Sequence, residues 1–67
     1  MDVLKLKWHM NEYGDKVPDL AKFLEVHRVT LYAKISGKKQ EFTQSEIQRI
    51  ANRYNLSNED IIDIFFN

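Results

Sequence analysis

A stretch in the middle of the chain, residues 20–37, most constrains what this sequence can fold into. Leu20 and Leu24 fall on one face of a helix, and Leu31 and Ile35 fall on one face of a second helix. The glycine that closes the stretch is the residue type that most often follows a helix end. The pattern therefore predicts two short helices joined by a tight turn, with the second helix at about residues 28–36.

The helices on either side of this stretch have signals of their own. Gly14 follows a first apolar stripe at helical spacing. Thr43 with Glu46, and Ser57 with Asp60, are spaced as capping boxes, in which two residues at a helix start exchange hydrogen bonds. We therefore predict an all-α fold of five helices. In the first helix the stripe expected in the core is Val3, Leu6, Met10 and Tyr13, with Leu4 and Trp8 packing beside it. In the fourth helix it is Ile47, Ile50, Ala51 and Tyr54, with Arg49 and Arg53 on the outer face.

Length and composition exclude several classes of protein. A chain of 67 residues forms one domain at most, so we expect a single domain over residues 1–67. The absence of cysteine excludes disulfides and suits a reducing cytoplasm. No apolar run approaches the ~20 residues of a membrane span. An enzyme is the weakest interpretation because no catalytic pattern is visible, and we expect no cofactor, metal or small-molecule substrate.

Seven residues of the central stretch match the helix-turn-helix pattern of the phage Cro and repressor family: Leu20, Ala21, Leu24, Val26, Thr30, Leu31 and Gly37. The chain resembles that family, and the resemblance implies a lambda-repressor-like domain whose helices 2 and 3 form the helix-turn-helix. Two positions depart from the pattern. Glu25 stands where the family usually has glycine, and His27 where it usually has serine or threonine. A left-handed backbone at Glu25 costs about 1 kcal/mol, so either the turn differs or the fold absorbs that strain.

In this family the third helix lies in the major groove of DNA with its N-terminal residues at the base edges. The resemblance thus implies base contacts from Arg28, Val29, Tyr32 and Ala33. Arg28 suits guanine, whereas Val29 and Ala33 can pack on a thymine methyl or simply permit close approach. Packing over a neighbouring helix is an equally open role for Tyr32. The side chains expected at DNA phosphates are Lys16, His27, Thr30, Ser36, Lys38, Lys39 and Thr43.

Charge is unevenly distributed although the formal net charge is zero. Between residues 26 and 40 every charged side chain is basic, namely Arg28, Lys34, Lys38 and Lys39, whereas from residue 57 to the end every one is acidic. We expect a basic face centred on the third helix, as phosphate contact requires. The alternative is a solvated helix surface that happens to lack acids.

The C-terminal segment carries more apolar side chains than one helical face can bury. We expect Ile64, Phe65 or Phe66 to form the interface of a symmetric homodimer or to pack against a further C-terminal segment, unless they close the base of the core. The predicted function is that of a sequence-specific transcriptional regulator, of Cro or repressor type, that binds a double-stranded DNA operator as a homodimer and involves no membrane. The alternative is a protein-interaction module, an antirepressor or an assembly adaptor, on the same scaffold.

Overall fold

The computed structural model describes residues 1–37 and 40–67, and all the regular structure within them is helical. The helices are α1 (Val3–Glu12), α2 (Val17–Leu24), α3 (Arg28–Ser36), α4 (Gln44–Tyr54) and α5 (Asn58–Phe65). The predicted all-α class with five helices is therefore confirmed for the described part of the chain. None of these helices has the length and apolar character needed to cross a bilayer.

Side chains cap the helix starts as the sequence predicts. Thr43 Oγ1 accepts a hydrogen bond from the Glu46 N–H at 3.1 Å, and Glu46 Oε1 accepts one from the Thr43 N–H at 2.9 Å. Ser57 and Asp60 exchange the same pair of bonds at 3.0 and 3.1 Å. The Asp2 carboxylate caps α1. Each cap satisfies N–H groups that a helix start leaves without a partner inside the helix.

The turn between α2 and α3 is left-handed at Glu25, with φ 60° and ψ 39°. The Glu25 N–H donates to Lys22 O at 3.1 Å, and the Val26 N–H donates to Ala21 O at 3.0 Å. This pair of bonds is the helix-ending motif that usually carries glycine at its left-handed position. Val26 then packs against the core. The turn thus keeps the left-handed geometry, and the fold absorbs a strain of about 1 kcal/mol at Glu25.

One apolar cluster holds the helices together, with α2 packed against α3 and with α5 packed against both α1 and α4. Its buried members are Leu6, Met10, Leu20, Ala21, Leu24, Leu31, Ile35, Ile50, Tyr54 and Ile64. The expectation that Leu4 and Trp8 pack beside the α1 stripe is wrong. Both are exposed, and Trp8 retains 58% of its accessible surface. Because Leu6 and Met10 turn toward the core, the face of α1 that carries Leu4 and Trp8 points to solvent.

A charged cluster joins the loop after α1 to α2 and α4. Asp15 accepts two hydrogen bonds from Arg53, at 2.6 and 2.9 Å, and one from the Tyr54 hydroxyl at 2.7 Å. The guanidinium groups of Arg53 and Arg49 lie 4.6 and 5.0 Å from the centre of the Phe23 ring, and Arg49 also donates to Phe23 O at 2.7 Å. Both arginines therefore lie against α2 rather than on a free outer face of α4, because Phe23 and Asp15 supply a ring and a carboxylate there.

These contacts shift the pKa of each titratable member of the cluster. Hydrogen bonds from Arg53 and from Tyr54 lower the pKa of Asp15, although burial opposes them. The hydrogen bond to Asp15 raises the pKa of Arg53. Burial, followed by the hydrogen bond to Asp15, raises the pKa of Tyr54. At neutral pH the carboxylate and the guanidinium are therefore charged and the phenol stays protonated as a donor.

The C-terminal segment closes the base of the core. The Asp2 N–H donates to Ile64 O at 2.7 Å, and the Ile64 side chain is completely buried. Phe65 is half-buried and meets the Phe42 ring edge-on, with ring centres 5.6 Å apart. The expectation that Ile64 belongs to a dimer interface is therefore corrected, because α1 and α4 already pack against the helix that carries it. Phe66 is exposed.

Candidate nucleic-acid interface

The outer side of α3 is the surface to which the sequence assigns base contacts. Leu31 and Ile35 anchor the helix by facing the core. A residue advances about 100° around a helix, so Val29, two positions before Leu31, and Tyr32, one position after it, turn away from the core. Val29 keeps 75% of its surface exposed and Tyr32 keeps 54%. The structure thus brings an arginine, a valine, a tyrosine and an alanine to one side of a single helix.

Exposure differs among the four side chains of this surface. Arg28 begins the helix and is exposed, whereas Ala33 is half-buried. The Tyr32 ring is more than half exposed, so it is not enclosed beneath a neighbouring helix. None of the four has a charged partner among the salt bridges of residues 1–37 and 40–67. We define Arg28, Val29, Tyr32 and Ala33 as the outer face of α3.

The side chains expected at phosphates divide into three groups. Lys16 and His27 are exposed at the starts of α2 and α3, and neither side chain caps its helix. Ser36 at the end of α3 and Thr43 at the start of α4 are exposed, but their hydroxyl groups already have local partners. The Ser36 hydroxyl donates to Ala33 O at 2.9 Å, and the Thr43 hydroxyl caps α4. Thr30 is half-buried. Lys38 and Lys39 lie outside the described residues.

Lys34 does not contribute to the expected basic face. Its ammonium lies 2.6 Å from Glu46 Oε1 on α4, and both side chains are largely covered. Burial acts to raise the pKa of Glu46, but the hydrogen bonds from Lys34 and Thr43 outweigh it and lower that pKa. This ion pair ties the second half of α3 to the start of α4. The exposed positive charge that α3 itself offers is therefore that of Arg28.

The comparisons leave the family open. We found no family model, no curated protein and no solved structure that matches this chain. A proposal of function therefore depends on the sequence pattern, the geometry and the charge of the chain itself.

The exposed side chains of α3 offer groups that are suited to binding. Within residues 1–37 and 40–67, no group of three metal-ligating side chains is assembled. Every buried side-chain nitrogen or oxygen of these residues has a hydrogen-bond partner. An exposed guanidinium beside apolar and aromatic side chains can bind the polar edge of a base and a neighbouring methyl group at the same time.

The structure exposes two apolar pairs, and of their four residues only Phe66 was expected at a surface. Ile62 and Phe66 are four positions apart along the C-terminal segment, and Leu4 and Trp8 are four apart on α1. A surplus of apolar residues in the last helix was visible in the sequence. Which of them faces solvent depends on how that helix is rotated against α1 and α4, and local spacing does not determine that rotation.

Proposed function

We propose that this protein is a sequence-specific, double-stranded DNA-binding regulator that inserts α3 into the major groove. The observation that carries the proposal is the outer face of α3, where Arg28, Val29 and Tyr32 are exposed while Leu31 and Ile35 anchor the same helix in the core. A major groove about 12 Å wide admits one α-helix, and base edges there offer distinct patterns of donors and acceptors.

The turn before α3 supports the same proposal. Glu25 takes the left-handed conformation at the position where the Cro and repressor pattern has glycine. The substitution therefore leaves the backbone geometry of that turn in place, at an energetic cost. Because α2 packs on α3 through Leu20, Leu24 and the adjacent core, it can lie across the groove while α3 enters it.

The charges near α3 are modest in number but suitably placed. Arg28 can donate two hydrogen bonds to O6 and N7 of guanine. Lys16 and His27 are exposed at the starts of α2 and α3, where N–H groups at a helix terminus also favour a phosphate. Such contacts position the protein on DNA, whereas contacts to base edges select the sequence.

We further propose that the protein binds its operator as a homodimer. The exposed apolar pair Ile62 and Phe66 supplies a surface for a second copy, beside a groove lined by Phe42, Ile47 and Ile61. Two copies related by a two-fold axis then present two α3 helices to half-sites about one helical turn apart. Sedimentation should show that Phe66→Ser weakens association on DNA, with Leu4→Ser as the control. Equal association of the two variants would exclude this interface.

Selection from random duplexes, followed by sequencing, tests the proposed function. The expected result is an enriched site with two related half-sites. Binding to that site should weaken with a log–log salt slope of about −0.9 for each phosphate contacted. Recovery of no common sequence, together with negligible binding at low salt, would contradict the proposal.

A protein-interaction module is the second candidate, and one observation favours it. Val29 and Tyr32 give the outer face of α3 a largely apolar character, and Lys34 is withdrawn from it. An antirepressor or an assembly adaptor would use such a face against another protein. The salt series separates the candidates, because an adaptor would bind DNA weakly at every salt concentration tested.

A further inference from the structure

Leu4 and Trp8 form an exposed apolar pair on α1 that neither the core nor the outer face of α3 uses. The Trp8 ring meets the His9 ring edge-on, with ring centres 4.9 Å apart. A shallow groove begins at this pair and ends at α5, which packs against α1. We call it the α1–α5 groove, and the side chains that line it are Asp2, Leu4, Lys5, Trp8, His9 and Asp60.

Carboxylates dominate the charge of the α1–α5 groove. Asp2 and Asp60 line it, and the ammonium of its lysine, Lys5, is held by Asp63 at 3.0 Å. A hydrogen bond from the Ser57 N–H lowers the pKa of Asp60, so that carboxylate is charged at neutral pH. A ligand that suits the groove should therefore combine apolar side chains with a positive charge.

The outer face of α3 has this complementary character. Val29 and Tyr32 are exposed next to the exposed Arg28, and α3 contains no acidic residue. An apolar side of a helix can lie in a groove, and a guanidinium can also lie over the face of an indole. The chain therefore carries both a groove and a helix that fits it.

We propose that the α1–α5 groove binds the outer face of α3 of a second copy of this chain, in a head-to-tail contact. A two-fold contact between two grooves would instead place carboxylates opposite carboxylates, which disfavours it. The head-to-tail contact is small, so the association is weak.

The contact does not depend on the proposed function, but one consequence of it does. A copy whose α3 lies in a groove cannot insert that helix into DNA, so operator binding and head-to-tail association compete. The homodimer on DNA uses Ile62 and Phe66 instead. Leu4→Ser therefore remains a valid control for that homodimer.

Two variants, each lacking one half of the contact, test the proposal. Trp8→Ser removes the indole of the groove and keeps α3, whereas Tyr32→Ser removes a ring from α3 and keeps the groove. Both are made in a parent that carries Phe66→Ser, which removes the other proposed interface. Sedimentation should show that the parent associates as its concentration rises and that each variant alone associates about tenfold more weakly. An equimolar mixture of the two variants should form one-to-one pairs.

Fluorescence follows the same pairing. Trp8 is the single tryptophan of the chain, so in the mixture only the Tyr32→Ser copy carries an indole. Its emission should shift to the blue when Trp8→Ser is added, because α3 of the added copy covers the indole. Circular dichroism should show that the variants are folded, since all three changed side chains are exposed.

Arg28→Glu in the parent tests the charge complementarity, with Lys7→Glu as the matched control. Both side chains are exposed and both substitutions change the net charge equally, but Lys7 is not among the residues that line the groove. Arg28→Glu should weaken association at least tenfold, because it brings a carboxylate to Asp60, whereas Lys7→Glu should change it little.

The outcomes separate this proposal from the proposed function. A mixture that associates no better than either variant alone would overturn it, and so would equal effects of Arg28→Glu and Lys7→Glu. Association that Trp8→Ser abolishes and Tyr32→Ser leaves intact would also overturn it, because the groove would then bind something other than α3. Pairs formed in the mixture, together with failure to recover any enriched duplex, would support this contact and contradict DNA binding.

Discussion

Asp15→Asn is the substitution that most directly tests how the fold is held together. Asp15 binds Arg53 and the Tyr54 hydroxyl, and 8% of its side chain is exposed, against 30% for Arg53. Asparagine has nearly the same volume but carries no charge, and one of its two polar atoms is a donor that faces donors. The variant therefore weakens the link between the loop after α1 and α4 without opening a cavity.

The size of the effect follows from the bonds lost. Hydrogen bonds to a charged group contribute about 1.5–3 kcal/mol each, and breaking a fully buried pair costs about 3–5 kcal/mol. Arg53 remains partly hydrated and asparagine keeps one acceptor, so we expect Asp15→Asn to lower the free energy of unfolding by about 2 kcal/mol. For a domain of 67 residues the whole free energy of unfolding is roughly 3–10 kcal/mol. The melting temperature should fall by roughly 8–16 °C.

The pH dependence of stability supplies a second signature. Because the pKa of Asp15 is lower in the folded state than in the unfolded state, its contribution is complete above the unfolded value of about 4. The contribution is lost as the pH falls through the folded value. Wild type and Asp15→Asn should therefore differ by a constant amount from pH 7 to about pH 5 and converge in more acidic solution.

Urea denaturation of both proteins between neutral and acidic pH measures this difference. The matched control is Asp63→Asn, which removes the carboxylate of the exposed Lys5–Asp63 pair and should change stability little. If Asp15→Asn lost less than about 0.5 kcal/mol at pH 7, or if the difference persisted unchanged at low pH, the structural role assigned to the Asp15 cluster would be refuted.

Three further results are expected. Glu25→Gly should raise the free energy of unfolding by about 0.5 kcal/mol in urea titration, because glycine relieves the left-handed strain but orders a more flexible residue, and Glu25→Ala should not raise it. Glu46→Gln keeps the capping box but leaves the covered Lys34 ammonium without a charged partner, so the free energy of unfolding should fall by about 1–2 kcal/mol. In acid, where Glu46 of the wild type is itself protonated, the two proteins should be equally stable. Trp8 fluorescence should resemble that of a solvated indole and shift little on unfolding; a large red shift would contradict its exposed position.

Local signals in the sequence predicted most of the secondary structure. The start of α4 at Thr43 and the start of α5 at Ser57 follow from capping boxes that involve residues three positions apart. The limits of α3 follow from two apolar positions and the glycine after them. Such signals are contained within one turn of helix, so they are readable without knowledge of the rest of the fold.

Long-range partners account for what the sequence did not predict. Arg53 is 38 positions from Asp15, and Lys34 pairs with a residue on the next helix. Neither partner can be identified from helical spacing, because any of several carboxylates satisfies the local charge pattern. Ile64 and Trp8 were misassigned for a related reason: which apolar face of a helix is buried depends on how the helices are rotated against one another.

The exposure of Val29 and Tyr32 was easier to predict than these contacts because it concerns a single helix. Once Leu31 and Ile35 face inward, helical spacing turns Val29 and Tyr32 away from the core, whereas Arg28 is exposed because it begins the helix. The local basic charge was overestimated, however, since Lys34 turns toward α4. An account of the surface charge therefore requires the packing of α3 on its neighbour as well as its sequence.

The most direct test of the central claim compares Arg28→Ala with Lys16→Ala on the duplex enriched by selection. If Arg28 reads a base edge, its removal should weaken binding by about 1–3 kcal/mol and relax the preference at one base pair. Lys16→Ala should instead weaken binding to all duplexes alike and reduce the magnitude of the salt slope by about 0.9. Arg28→Ala binding the selected duplex with unchanged affinity and unchanged selectivity would contradict the claim that α3 reads DNA.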